Sequence, residues 1–130
     1  MDCPLCSKID EDIIYENDIF RVILVDEIPG YIRVIANKHI KEFSELSDKE
    51  VIDIMLAIKK IEKKMIEFLR PDKVNIASLG NMVPHLHIHI IPRYENDPWW
   101  PGTTFCNKKR DFIYPPFDKE KYKEVIKNCF

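Results

Sequence analysis

The sequence predicts an α+β domain of five β-strands, one long helix and a short carboxy-terminal helix. Three observations carry that expectation. Histidines stand at every second position of Pro84-His85-Leu86-His87-Ile88-His89-Ile90-Ile91-Pro92, which is the two-residue period of a strand. A long stretch after Ser47 repeats its apolar residues at helical spacing. Between residues 13 and 36, three runs rich in β-branched side chains are separated by turn residues.

Taken in order, residues 13–16 and 20–25 read as two strands around an Asn17-Asp18 turn, and residues 31–36 as a third strand after the turn Asp26-Glu27-Ile28-Pro29-Gly30. Short connections of this kind give an antiparallel meander. Ser47 and Glu50 have capping-box spacing ahead of apolar residues at 51, 54, 55, 58, 61, 65, 68 and 69, so the main helix starts there and stops near Arg70-Pro71. Met55 and Met65 read as core filler in it, and the lysines and glutamates between them as its solvated face. Residues 74–79 form a fourth strand, and Gly80-Asn81-Met82-Val83 is short enough to make the fourth and fifth strands antiparallel neighbours. Asp118 caps a last helix that ends near Asn128.

At 130 residues the chain is expected to be one domain, with residues 94–130 as a carboxy-terminal extension. A formal charge of −2 gives no electrostatic case for nucleic acid or an anionic membrane, and Lys108-Lys109-Arg110 reads as a solvated loop. No apolar run reaches the roughly 20 residues of a membrane span, and no signal pattern opens the sequence, so a cytoplasmic protein is expected. In that reducing setting Cys3-Pro4-Leu5-Cys6 is a thiol or metal pair sooner than a disulfide, and Cys106 and Cys129 are bystanders.

The histidine stretch carries the chemistry. On a strand His85, His87 and His89 share one face and Leu86, Ile88 and Ile90 the other. A rise of roughly 3.3 Å per residue sets neighbouring imidazoles about 6.6 Å apart, too far to converge on one small ion. A row of this kind suits something elongated, and a phosphate chain is the obvious candidate. Prolines at both ends suit strand boundaries.

His85-Leu86-His87-Ile88-His89-Ile90-Ile91 resembles the signature of the histidine triad (HIT) superfamily of nucleotide hydrolases and transferases, and the resemblance extends from about Cys3 to Arg93. It implies a HIT-like fold, in which a five-stranded antiparallel sheet carries a long helix and pairs with a second copy in a homodimer. It also implies hydrolysis at the α-phosphate of a purine nucleotide. His87 would attack phosphorus to give a nucleotidyl-histidine, His89 would contact the phosphate oxygens, and His85 completes the triad. The substrate would be a dinucleoside polyphosphate or a nucleoside phosphoramidate.

By the same resemblance Asn75 and Asn81 stand at phosphate-side polar positions, Asp26 where an acid holds the ribose hydroxyls, and Leu24 against the base. Each polar residue has an ordinary turn or strand-end reading beside this one. Three departures bear on substrate preference: Met82 stands where many relatives carry a serine or threonine able to protonate the leaving group, Ala36 where a proline is common, and Gly80-Asn81 is poorer in glycine than the usual phosphate loop.

Zinc-bearing members of the superfamily pair two such cysteines with a histidine before the long helix and with the first triad histidine, which implies a structural zinc on Cys3, Cys6, His39 and His85. Without metal, Cys3 and Cys6 would be free thiols and His39 a phosphate-side histidine. Two other functions fit the residues: a nucleotide- or zinc-binding module without turnover, and a hydrolase that uses His85 and His87 as ligands of a catalytic ion.

Overall fold

The computed structural model describes residues 3–130. Strands β1 (Asp12–Glu16), β2 (Phe20–Leu24) and β3 (Ile32–Ala36) make the expected antiparallel meander. Asn17 turns the first corner by accepting the Ile19 and Phe20 amides on its side-chain oxygen at 2.8 and 2.9 Å. The second corner needs Gly30, which has φ +85° and lies so close to the Leu69 side chain that a Cβ there would collide with it.

Helix α1 (Asp48–Leu69) opens on the capping box, with Ser47 accepting the Glu50 amide at 3.2 Å and Glu50 accepting the Ser47 amide at 2.8 Å. It ends as Arg70 turns left-handed at φ 51° ahead of Pro71. Ile54, Ala57, Ile58, Ile61 and Met65 are its buried stripe. Met55 departs from expectation, being 45% exposed: it lies about 100° around the helix from Ile54, on a flank shared with exposed Ile52 and Leu56.

Strands β4 (Lys73–Ala77) and β5 (His87–Arg93) are antiparallel neighbours, and the sheet order is β1-β2-β3-β5-β4. The histidine strand is therefore interior, between β3 and β4. It begins two residues later than the expected 85–91. The His85 amide bonds the Val83 carbonyl in a tight turn and the Leu86 amide bonds Ile40 beyond β3, so neither extends the ladder to β4. Pro92, expected as a boundary, lies inside β5 opposite Val74. Ser78 and Leu79 fall outside β4, whose last pair is Ala77 with His89.

One sheet face packs under α1, where Leu86, Ile88 and Ile90 join Val22, Val34, Ile58, Ile61 and Met65 in the main core. Helix α2 (Lys119–Lys127), capped by Asp118, sends Tyr122 and Ile126 into that same core, and the Tyr122 hydroxyl donates to the Gly30 carbonyl at 2.7 Å. The other face has two separate covers. Leu5 packs on Ile23 and Ile35 at one end, and Trp99 packs on Ile28, Tyr31 and Ile91 at the other. His87 and His89 lie on the face between them. No described helix is long and apolar enough to cross a membrane.

Candidate functional site

The register of the sheet sets which side chains share the histidine face. His87 pairs with Ile35, His89 with Arg33 and with Ala77, and Ile91 with Asn75. Because side chains on paired residues point to the same face, Arg33, Asn75 and the two strand histidines stand together. The His87 and His89 ring centroids are 4.9 Å apart.

His87 is oriented by the backbone, its Nδ1 lying 2.6 Å from the His85 carbonyl oxygen. A carbonyl can only accept, so the proton sits on Nδ1 and the Nε2 lone pair is left for an electrophile. Burial lowers the His87 pKa below that of a free imidazole, and the Arg33 charge acts in the same direction against the pull of the His85 carbonyl. The ring is therefore neutral near pH 7 and has the form a nucleophile requires.

His89 carries the complementary tautomer. Its Nδ1 is hydrogen-bonded to the Tyr31 hydroxyl, which also receives a bond from Arg33 Nη2 at 3.0 Å. A guanidinium has no acceptor, so the phenol accepts from Arg33, and its own O–H is free to donate to His89 Nδ1. His89 is left with its proton on Nε2, able to donate to a phosphoryl oxygen. Burial, with His87 and Arg33 adding to it, lowers the His89 pKa to about 4. Burial likewise raises that of Tyr31, which keeps its proton.

His85 faces elsewhere. Its Nε2 lies 2.6 Å from the Ala36 carbonyl, and its Nδ1 is 3.5 Å from Cys3 Sγ, 3.5 Å from Cys6 Sγ and 3.2 Å from His39 Nδ1. The four ligand atoms of Cys3, Cys6, His39 and His85 all lie within 4.8 Å of one another. Zinc bonds of about 2.3 Å to sulfur and 2.0 Å to nitrogen at tetrahedral angles place S and N about 3.5 Å apart and two N about 3.3 Å apart, so the donor set fits that ion. The Ala36 carbonyl fixes the His85 proton on Nε2 and leaves Nδ1 to ligate. His85 is 1% exposed and turned into this cluster, which separates it from the pair on β5.

The remaining expected positions divide. Asn75 is half-buried on the histidine face and accepts from Arg93 Nη1 at 2.6 Å beside a 390 Å³ cavity lined also by Ile91, Thr103 and Phe105. Asn81 is exposed in the turn before His85. Leu24 needs correction: it is 5% exposed in the main core, one residue out of phase with Ile23 and Arg33, and so lies on the far side of the sheet from His87. Asp26 pairs with Lys119 at 3.0 Å and keeps a 75% exposed side chain, while its neighbour Glu27 lines the cavity at His89.

That cavity, about 310 Å³, is bounded by Ile28, Tyr31, Arg33, His89, Trp99 and Phe105, with Glu27 and Lys108 also on its wall. Tyr31, Arg33 and Phe105 were not singled out by sequence. The wall is held by a buried ion pair. Arg93 Nε and Nη2 reach the two Asp97 oxygens at 2.7 and 3.0 Å, and Asp97 also accepts the Trp99 and Trp100 amides. Arg110, expected on a solvated loop, donates to the Asp97 and Trp100 carbonyls at 2.7 Å each, and Lys108 stands over the Trp99 ring.

An antiparallel sheet that presents two neighbouring neutral imidazoles, one of them, His89, on the wall of an aromatic-lined cavity, with a third histidine turned into a Cys/His cluster, has the arrangement of a histidine-triad site. The HIT domain model matches residues 7–96, and the chain belongs to that family. An uncharacterized HIT-like protein of Mycoplasma genitalium is 32% identical over 105 residues, covering 72% of this chain and 74% of that protein. The asymmetrical bis(5'-nucleosyl)-tetraphosphatase of Schizosaccharomyces pombe is 28% identical over 99 residues, 72% of this chain and 50% of that enzyme. A histidine triad protein of Bradyrhizobium japonicum shares the fold with a TM-score of 0.76 at 22% identity, over 94% of this chain and 92% of that one.

Proposed function

We propose that the protein is a nucleotide hydrolase that cleaves at the α-phosphate through a nucleotide covalently held on His87, releasing a nucleoside monophosphate. The observation that carries this reading is the His87 ring, whose Nδ1 is committed to the His85 carbonyl and whose Nε2 lone pair is left free, with the His89 ring centroid 4.9 Å away. In the first step that lone pair forms a bond to phosphorus, and the bond from phosphorus to the leaving group breaks with its electron pair departing on that group. In the second, water adds to phosphorus and releases a proton to solvent, the phosphorus–nitrogen bond breaks, and the imidazole recovers its lone pair. His89 stabilises the oxygens as they gain charge.

The substrate class is a purine dinucleoside polyphosphate or a nucleoside phosphoramidate, and the polyphosphatase activity named for the fission-yeast relative supports the former. Asn75 and Asn81 remain candidates for the phosphate side, and Glu27 takes the place expected of Asp26 at the cavity wall. A structural zinc on Cys3, Cys6, His39 and His85 would tie the amino-terminal segment to the start of β5, and it takes no part in the phosphoryl steps. A homodimer is supported by β4 being a sheet edge with exposed Ile76, and by exposed Ile52, Met55, Leu56 and Ile66 on α1.

The test is monophosphate release from a panel of adenosine and guanosine polyphosphates and phosphoramidates, with wild type and His87→Ala. Release by wild type and none by the variant, which still binds nucleotide, is the expected result. Equal turnover by both overturns the covalent step. Binding without turnover by wild type favours the non-catalytic module instead.

A further inference from the structure

Three arginines project from the histidine face of the sheet: Arg21, Arg33 and Arg93. Two of them are neutralised locally. Arg21 is clamped by both Glu11 oxygens at 2.6 and 2.8 Å, and Arg93 by both Asp97 oxygens. Arg33, the one paired in register with His89, has no carboxylate partner among the described residues. Its hydrogen bond there is the one from Nη2 to Tyr31, and its Nε is shut away from water without any acceptor. Glu27, also on the cavity wall, is not in ion-pair contact with it.

A guanidinium held this way lacks what it is built to meet. Orphaned donors on a partly buried charge are costly, and an anion rich in acceptors is the ligand that relieves both the charge and the donors. The cavity at this position is lined also by Lys108, a second cation, and by His89, with Glu27 and Thr104 on the same wall.

We propose that Arg33 is the receptor for a second anionic group of the substrate, the phosphate next to the one that His87 attacks. The proposal rests on the hydrolase reading above and narrows it: the site is built for nucleotides with two or more linked phosphates and turns over single-phosphate conjugates poorly. Arg33 here is a specificity-determining residue, and its contact is made with the phosphate chain.

The test compares wild type, Arg33→Leu and Arg33→Lys on diadenosine tetraphosphate and on adenosine 5'-phosphoramidate, alongside inorganic tripolyphosphate binding measured by calorimetry. A charged hydrogen-bonded contact of this kind is worth roughly 10- to 100-fold. Arg33→Leu should lose about that factor in kcat/KM on the tetraphosphate and in tripolyphosphate affinity, while changing less than about 3-fold on the phosphoramidate. Arg33→Lys, which keeps the charge and loses the fork, should fall between. Equal losses on both substrates would place Arg33 on the shared α-phosphate or nucleoside and overturn the proposal. Should wild type release monophosphate from neither substrate, the hydrolase reading fails. Tripolyphosphate binding that weakens in Arg33→Leu then still upholds the anion receptor, and unchanged binding rejects it. Arg33→Gln serves if the leucine variant does not fold.

Discussion

Replacing Asp97 by alanine should cost about 3–5 kcal/mol of stability, because it strands a buried guanidinium. Arg93 is 2% exposed and Asp97 1%, so neither charge has water to fall back on. The loss goes beyond the ion pair: the amides of Tyr94, Trp99 and Trp100 also donate to Asp97 at 3.2, 3.0 and 2.9 Å. For 130 residues, an unfolding entropy of roughly 2.1 cal/mol/K per residue turns that cost into a drop of about 11–18 °C in Tm. Calorimetry and urea unfolding measure it, with the double variant Arg93→Met/Asp97→Leu as the control. Removing both charges should recover most of the loss, since the penalty is the unpaired charge. A single variant within about 1 kcal/mol of wild type, or a double variant no better than the single, would refute the assignment of Asp97 as the hub of the Trp99 segment.

Metal analysis of untagged protein should find about one zinc per chain, and Cys6→Ser should lower both the metal content and the Tm; a fully folded, metal-free preparation rejects the cluster as a zinc site. Tyr31→Phe should lower kcat by about 3- to 10-fold with little change in KM, and nitrogen-15 spectra should show His89 losing its single tautomer, whereas an unchanged spectrum contradicts the hydrogen-bond chain. The folded-state pKa of His89, about 4 through burial and its cationic and imidazole neighbours, lies below the ordinary 6.5. The unfolded chain therefore takes up the proton first, and the stability this ring contributes is present above pH 6.5 and lost as pH falls toward 4. An NMR titration of the His89 ring with a midpoint at or above 6.5 would contradict that burial.

The histidine strand was legible because its period is two and its two faces differ in chemistry, and α1 because its cap and apolar spacing agree. What could not be read was which residues of other strands share the histidine face. That depends on register, which long connections do not encode locally, and a shift of one residue moves a side chain across the sheet. For this reason Leu24 reads from sequence as a site residue although it faces the core, and Tyr31 and Arg33 carry no signal of sharing the histidine face. The division of the triad was only half visible. Even spacing put His85 with His87 and His89, but the turn at Val83 rotates it into the Cys3, Cys6 and His39 cluster. Arg93 and Asp97 did leave a trace, a four-residue spacing of opposite charges just after an apolar strand, and a basic and an acidic residue there would have marked the pair that holds the cavity wall.

The covalent step is tested most directly by rapid-quench mass spectrometry of wild-type protein mixed with a dinucleoside polyphosphate. A nucleoside monophosphate adduct is expected on the peptide that contains His87, formed and lost within the turnover time and absent from His87→Ala. Full turnover with no adduct at His87, or an adduct on another residue that persists in the variant, would contradict it.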